Sequence, residues 1–209
     1  AAGTVPVTAV EQPVGRILDK SGRGNHATQS TTTKRPVYSR RVNLQGFNTS
    51  TFSDAVLLRN GNGLTPVVTA NYATAPDGTN TATRLQLNSV DMSGTAYSIV
   101  AGYILGGGQI AAMYRTKIWM RATTGTATVG LVGAGSVQAL QSLTTAWQLV
   151  SLPEMGVAGG VFSMRISSSA AAPSAGPQDI LVWQPSLTLE IDAHLPYQRV
   201  NTATDYDAD

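Results

Sequence analysis

Eight consecutive residues, Tyr114-Arg-Thr-Lys-Ile-Trp-Met-Arg121, alternate in polarity with a period of two. Successive side chains of a strand point to opposite faces, so Tyr114, Thr116, Ile118 and Met120 share one face and Arg115, Lys117, Trp119 and Arg121 share the other. The first set is a core face. The segment therefore predicts a strand covered on one side by a second layer and open on the other.

The rest of the chain from Leu64 onward agrees. Short β-branched runs are separated by Gly, Pro, Asn and Asp at intervals near ten residues, the pattern of a sandwich. Strands are expected over 65–70, 82–87, 97–104, 110–122, 127–132, 148–152, 161–167, 179–184 and 187–191. Pro76-Asp77-Gly78 is a turn in which Pro presets φ, Asp bonds back to the chain and Gly accepts a left-handed conformation. Only Val137 to Leu143 carries a weak helical pattern. The fold class is all-β, a two-sheet antiparallel β-sandwich over residues 61–199, preceded by an arm over 1–60 and followed by a tail over 200–209. A chain of 209 residues has room for one such sandwich and an arm. It has no cysteine, which removes disulfides and thiolate chemistry. No apolar run approaches the roughly 20 residues needed to span a membrane as a helix, so membrane insertion is not expected.

The arm lacks sustained periodicity, and short extended pieces are expected only at 5–10 and 35–38. Asp19-Lys-Ser-Gly-Arg-Gly-Asn25 reads as a structural turn. Residues 1–60 hold eight basic and three acidic side chains, whereas the remainder holds six and nine. The net charge of +2 thus hides a basic arm and an acidic body. Clustered Lys and Arg suit phosphates, but no aromatic interleaves the cations from 16 to 35, so bases have no stacking platform and a nucleic-acid partner is not expected. The arm is expected instead to dock on an acidic neighbour, in its own body or in another subunit, burying Val14, Ile17, Leu18, Val37 and Leu44.

Catalytic constellations are scarce. His26 and His194 lie far apart in sequence, Gly133-Ala-Gly-Ser136 lacks the second glycine of G-x-S-x-G, and there is no phosphate loop or histidine pair at metal spacing. Glu190 and Asp192 share strand parity, about 7 Å apart, a spacing within the range of an inverting glycosidase. An isolated acidic pair near a chain end is more simply a solvated one, so the expectation is a non-enzyme, with glycan hydrolysis as the remote alternative.

The outward set on 114–121 carries more information. One indole among three cations suits a sugar, because a flat aromatic stacks on the apolar face of a pyranose while Arg and Lys bond hydroxyls or acidic substituents. The candidate carbohydrate-binding residues are Trp119, Arg115, Lys117 and Arg121, with Arg165, outward on 161–167, as a companion. The other reading has Trp119 covered by the arm or a neighbouring subunit, with the Arg residues meeting acidic groups there. Trp147 and Trp183 are expected in the core. No cofactor is expected.

Three strings carry a resemblance: PVTAVEQPVG (6–15) with LDKSGRGNHATQ (18–29) and RP (35–36); TANYATAPDGTNTATRL (69–85); and PYQRVNTATDYD (196–207). Together they resemble a module of tailed-bacteriophage and prophage virion proteins, in which a polar lead-in precedes a carbohydrate-binding-module-like jelly roll. The resemblance implies a virion structural protein of the tail-fibre, tailspike or head-fibre class, located in the virion. It would be an adhesin-like module binding host glycan on the face that carries Trp119, or alternatively a capsid or tail decoration protein using the jelly roll for assembly alone. It also implies other virion proteins as partners and self-association, with a homotrimer expected. A structural Ca²⁺ is implied for some jelly rolls, with Asp77, Asp91 and Asp179 as candidate oxygen ligands here. In that family the lead-in lies inside a longer polypeptide, so a fragment or processed product is expected.

Overall fold

Two five-stranded antiparallel sheets face each other across one apolar core. The computed structural model describes residues 14–18, 21, 23–31, 42–45, 51–53, 55–60, 64–87, 97–103, 110–134, 139–159, 162–168 and 177–200. The chain divides into two compact units, 1–41 and 42–209.

In the first unit, β1 (Arg16–Ile17) pairs with β2 (Ala27–Thr28). Between them the Arg23 amide donates to Ser21 Oγ at 3.4 Å and Gly24 takes φ +72°, as the turn expected there requires. Ile17 and Leu18 are exposed. The extended pieces expected at 5–10 and 35–38, and Val37, lie outside the described residues.

The second unit contains β3 (Val56–Asn60), β4 (Val67–Ala73), β5 (Ala82–Leu87), β6 (Tyr97–Tyr103), β7 (Met113–Ala122), β8 (Ala127–Val132), β9 (Ala139–Leu143), β10 (Gln148–Met155), β11 (Phe162–Ser167) and β12 (Gln178–Leu189), then a 3-10 turn at Glu190–Asp192. The front sheet runs β10-β7-β12-β5-β4 and the back sheet β3-β6-β11-β8-β9. The chain passes repeatedly from one sheet to the other, as a jelly roll does, so neither sheet forms without its partner. Leu85, Leu87, Ile118, Met120, Ile180 and Val182 of the front sheet meet Val100, Val129, Leu131, Leu143, Met164 and Ile166 of the back sheet in one buried cluster. Full burial of such side chains contributes about 1.5–3 kcal/mol each. The all-β, two-sheet reading of the sequence therefore holds.

Three local readings are corrected. The arm-to-body boundary expected at 60/61 falls earlier, because Phe52 is buried in the core and β3 pairs with β6. β3 is an edge strand, and an edge strand gives a weak alternation signal. Second, the weak helical candidate at 137–143 contains β9, whose residues 139–143 pair with β8. Tertiary pairing overrides a marginal local pattern there. Third, the runs expected at 179–184 and 187–191 are largely one strand, β12, broken by a bulge. Trp183 stands opposite Trp119 and Ser186 opposite Lys117, so one extra residue is accommodated around Gln184, whose φ is +49°. Upstream, Ile180 and Val182 face the main core; downstream, Leu187 is buried in a second, smaller cluster with Tyr114 and Ala134. The inward parity has changed from even to odd.

Candidate functional site

The outer surface of the front sheet is the face that β7 alternation exposes. Along β7, Tyr114, Thr116, Ile118, Met120 and Ala122 are buried, while Arg115, Lys117, Trp119 and Arg121 are partly exposed between them. Registered neighbours complete the surface: Leu149 of β10 lies opposite Trp119 on one side and Trp183 of β12 on the other. Directly opposed residues of an antiparallel pair share a face, so two indoles stand side by side with an aliphatic flank. The Trp183 indole N–H donates to Thr81 Oγ1 at 3.0 Å.

The cations on this face are engaged by the chain itself. Arg115 donates from Nε and Nη2 to the two carboxylate oxygens of Glu190 at 2.8 and 2.6 Å, and from Nη1 to Ser151 Oγ at 3.2 Å. The hydrogen bond raises the Arg115 pKa and lowers that of Glu190, against a smaller opposing cost of burial. Lys117 Nζ donates to the Ala193 carbonyl. Arg121 donates from Nη1 to the Thr145 carbonyl at 3.1 Å, and its guanidinium lies 5.3 Å from the centre of the Trp147 ring.

The residues after β12 cover part of the face. A cavity of about 120 Å³ is walled by Lys117, Trp119, Leu149, Gln184, Ser186 and Thr188 on the sheet side and by Asn43, Ala193, Leu195, Pro196, Tyr197 and Gln198 above. Asn43 anchors this cover. Its Nδ2 donates to the carbonyls of Pro185 at 3.2 Å and Gln198 at 2.8 Å, and its Oδ1 accepts from the amides of Leu187 at 3.1 Å and Gln45 at 3.3 Å. Gln198 Oε1 in turn accepts from the amides of Val42 and Asn43 at 2.8 and 3.2 Å. Thr188 Oγ1 is buried without a partner.

Further along the same face, the Asp179 carboxylate accepts from Arg84 Nε at 2.9 Å, from Arg84 Nη2 and from Thr123 Oγ1 at 2.8 Å. The Arg84 guanidinium stacks 4.7 Å from the centre of the Tyr72 ring. The Arg84 hydrogen bond holds the Asp179 pKa below the ordinary 3.8, burial opposing it. Because the folded value is the lower one, the stabilisation is present above about pH 4 and is lost as pH falls through the folded value. Asp179→Asn is expected to flatten the acid side of the stability curve between about pH 5 and 3 by about 1 kcal/mol or less, since the pair is only partly buried. Melting temperatures of the two proteins across that range check this; curves that stay parallel would remove the pair from the acid response.

Several sequence expectations change. Arg165 belongs to β11 in the back sheet, between the inward Met164 and Ile166, so it faces away from Trp119 on the opposite side of the sandwich. Strand parity alone does not say which sheet a strand joins. Trp183 is outward because it pairs with Trp119, and Trp147 is half-exposed in the turn before β10. Glu190 and Asp192 lie in the 3-10 turn rather than on a strand: Glu190 grips Arg115, and Asp192 is buried. Of the calcium candidates, Asp179 is engaged by Arg84 and Thr123, Asp77 accepts from the amide and hydroxyl of Thr79, and Asp91 lies outside the described residues. Sequence reasoning also missed Gln184, Ser186, Thr188, Asn43 and Gln198. The Gln184-Pro185 step inside an apolar run was the signal available for the first three.

No family model and no curated protein matches the sequence. Similar solved structures include the enzymatically active domain of tailspike protein 4 of bacteriophage CBA120, at 13% identity and TM-score 0.44, covering 71% of this chain and 21% of that one. Others are the module TmCBM61 in complex with β-1,4-galactotriose, at 18% identity and TM-score 0.43, covering 72% of this chain and 100% of that one, and the family 11 carbohydrate-binding module from Clostridium thermocellum in complex with a β-1,3-1,4-mixed-linked tetrasaccharide, at 7% identity and TM-score 0.48, covering 72% and 96%. These are likenesses of fold. By its own strand order the chain is a two-sheet antiparallel β-sandwich of jelly-roll type.

Proposed function

We propose that this protein is a non-enzymatic bacteriophage virion component whose front sheet binds glycan, the module acting as a surface adhesin. The observation that carries the glycan part is the placement of Trp119: an indole in the wall of a cavity whose lining also includes the polar Lys117, Gln184, Ser186 and Thr188 and the apolar Leu149, Leu195 and Pro196. An aromatic wall offers stacking area to a pyranose, and hydroxyl, amide and ammonium groups answer its hydroxyls. The virion part rests on the three strings at 6–36, 69–85 and 196–207. The non-enzymatic part rests on the scarcity of catalytic motifs and on the engagement of Glu190 by Arg115. Single sites of this size bind weakly, and repeated copies on a particle, a trimer or more, supply avidity.

A second reading has its own observation. Arg115 and Lys117 are already bonded to Glu190 and to the Ala193 carbonyl, as in a decoration protein that uses this face only for packing. Retention on a glycan array separates the two. The native protein is expected to be retained, and a folded Trp119→Ala variant to lose at least about tenfold in affinity, near 1.4 kcal/mol. Equal retention of the two proteins would remove this face as the site, and no retention of either would favour the decoration role.

A further inference from the structure

Resting on the glycan-binding reading, we infer that the cavity beside Trp119 takes the carboxylate-bearing edge of a single sugar ring, a uronic-acid-type residue, in preference to the corresponding edge of a neutral one. Size sets the first part. A cavity of about 150 Å³ accommodates benzene, with its six heavy atoms; the space here, about 120 Å³, is smaller, so a pyranose, with about twice as many, enters by one edge and keeps the rest of its ring outside. The cover formed by Ala193, Leu195, Pro196, Tyr197 and Gln198 leaves room for the edge of one ring rather than for a run of several lying along the sheet.

Charge sets the second part. Of the side chains lining the cavity, Lys117 is the charged one, and no Asp or Glu lines it. Vicinal hydroxyls of a neutral sugar are donors that a carboxylate answers best, and that acceptor is missing from the wall. The Lys117 ammonium has three donors, and the acceptor it reaches is the neutral Ala193 carbonyl. Glu190 is nearby but gives both carboxylate oxygens to Arg115. A partly buried ammonium with donors to spare favours an anion. Thr188 Oγ1, buried without a partner, and the Gln184 amide add neutral donors on the same wall.

The test compares methyl β-glucuronide and methyl α-galacturonide with methyl β-glucoside and methyl α-galactoside, pairs that differ in a carboxylate against a hydroxymethyl group. Titration of the folded protein, followed by NMR, is expected to show at least one uronide binding about tenfold more tightly than its neutral partner, the scale of a hydrogen bond to a charged group. Lys117→Met should erase that preference, and Lys117→Arg should restore most of it. Trp119→Ala should weaken both members of the pair. A neutral glycoside that binds as well as its uronide, or a preference unchanged in a folded Lys117→Met protein, overturns the inference while leaving glycan binding intact. Failure of the uronides alongside retention of neutral polysaccharide on an array does the same. Absence of binding to any glycoside or polysaccharide overturns the glycan reading itself.

Discussion

Ile118→Ala is expected to lower the unfolding free energy by roughly 2 to 5 kcal/mol, while Trp119→Ala, one residue along the same strand, costs about 0.5–1.5 kcal/mol. Ile118 is fully buried between the two sheets, opposite Val150 of β10, so truncation leaves a cavity that close-packed neighbours cannot fill. Trp119 faces the other way, and its loss removes contacts with Leu149 and Trp183 at a surface that water reaches. At roughly 2–4 °C per kcal/mol for a chain of this size, the first variant should melt about 5–20 °C below the parent and the second within a few degrees of it. Urea titrations with unchanged slope would attribute the difference to stability alone. Equal destabilisation by both would mean that the indole is as enclosed as the isoleucine.

Asn43→Ala is the second large effect. Asn43 is fully buried, and its amide serves two carbonyls and two amides drawn from three separated stretches of chain. Truncation strands groups that cannot reach water, and each buried polar group left unmade costs about 1–3 kcal/mol. Because carbonyls keep a second lone pair and the Gln45 contact is long, a total of about 2–4 kcal/mol is expected. Gln198→Ala removes the reciprocal half of the same staple, so the double variant should cost clearly less than the sum of the two single ones, as residues of one network do. Chemical denaturation of the four proteins measures this. An Asn43→Ala protein within about 0.5 kcal/mol of the parent would show that water replaces the side chain, as it does at exposed positions.

The fold was legible where periodicity is strict. Residues 114–121 disclosed both faces of β7 because each alternate side chain is unambiguously apolar or polar. β5 and β8 emerged at the expected positions for a different reason, the turn residues that punctuate the chain on either side of them. Legibility failed where pairing decides. Nothing local distinguishes the outward Trp183 from an inward one: Leu181, of the same parity, is apolar and buried although it too lies on the outer side of β12. Arg165 resembled Arg115 in pattern and differs from it in sheet. Asn43 and Gln198 lie more than 150 positions apart, at 155, and no spacing rule connects a polar residue of an irregular lead-in with another near the end of the chain.

The bulge at Gln184-Pro185 works like a frameshift in a two-letter code. Before it, even-numbered residues of β12 are read by the core; after it, odd-numbered ones are, and this leaves Ser186 and Thr188 to the cavity while Leu187 goes inside. A single strand thus spells two messages, each in its own phase. What the site requires at this point is a count of residues more than any side chain: many substitutions there leave the message readable, whereas adding or removing one residue turns every later letter of the strand inside out.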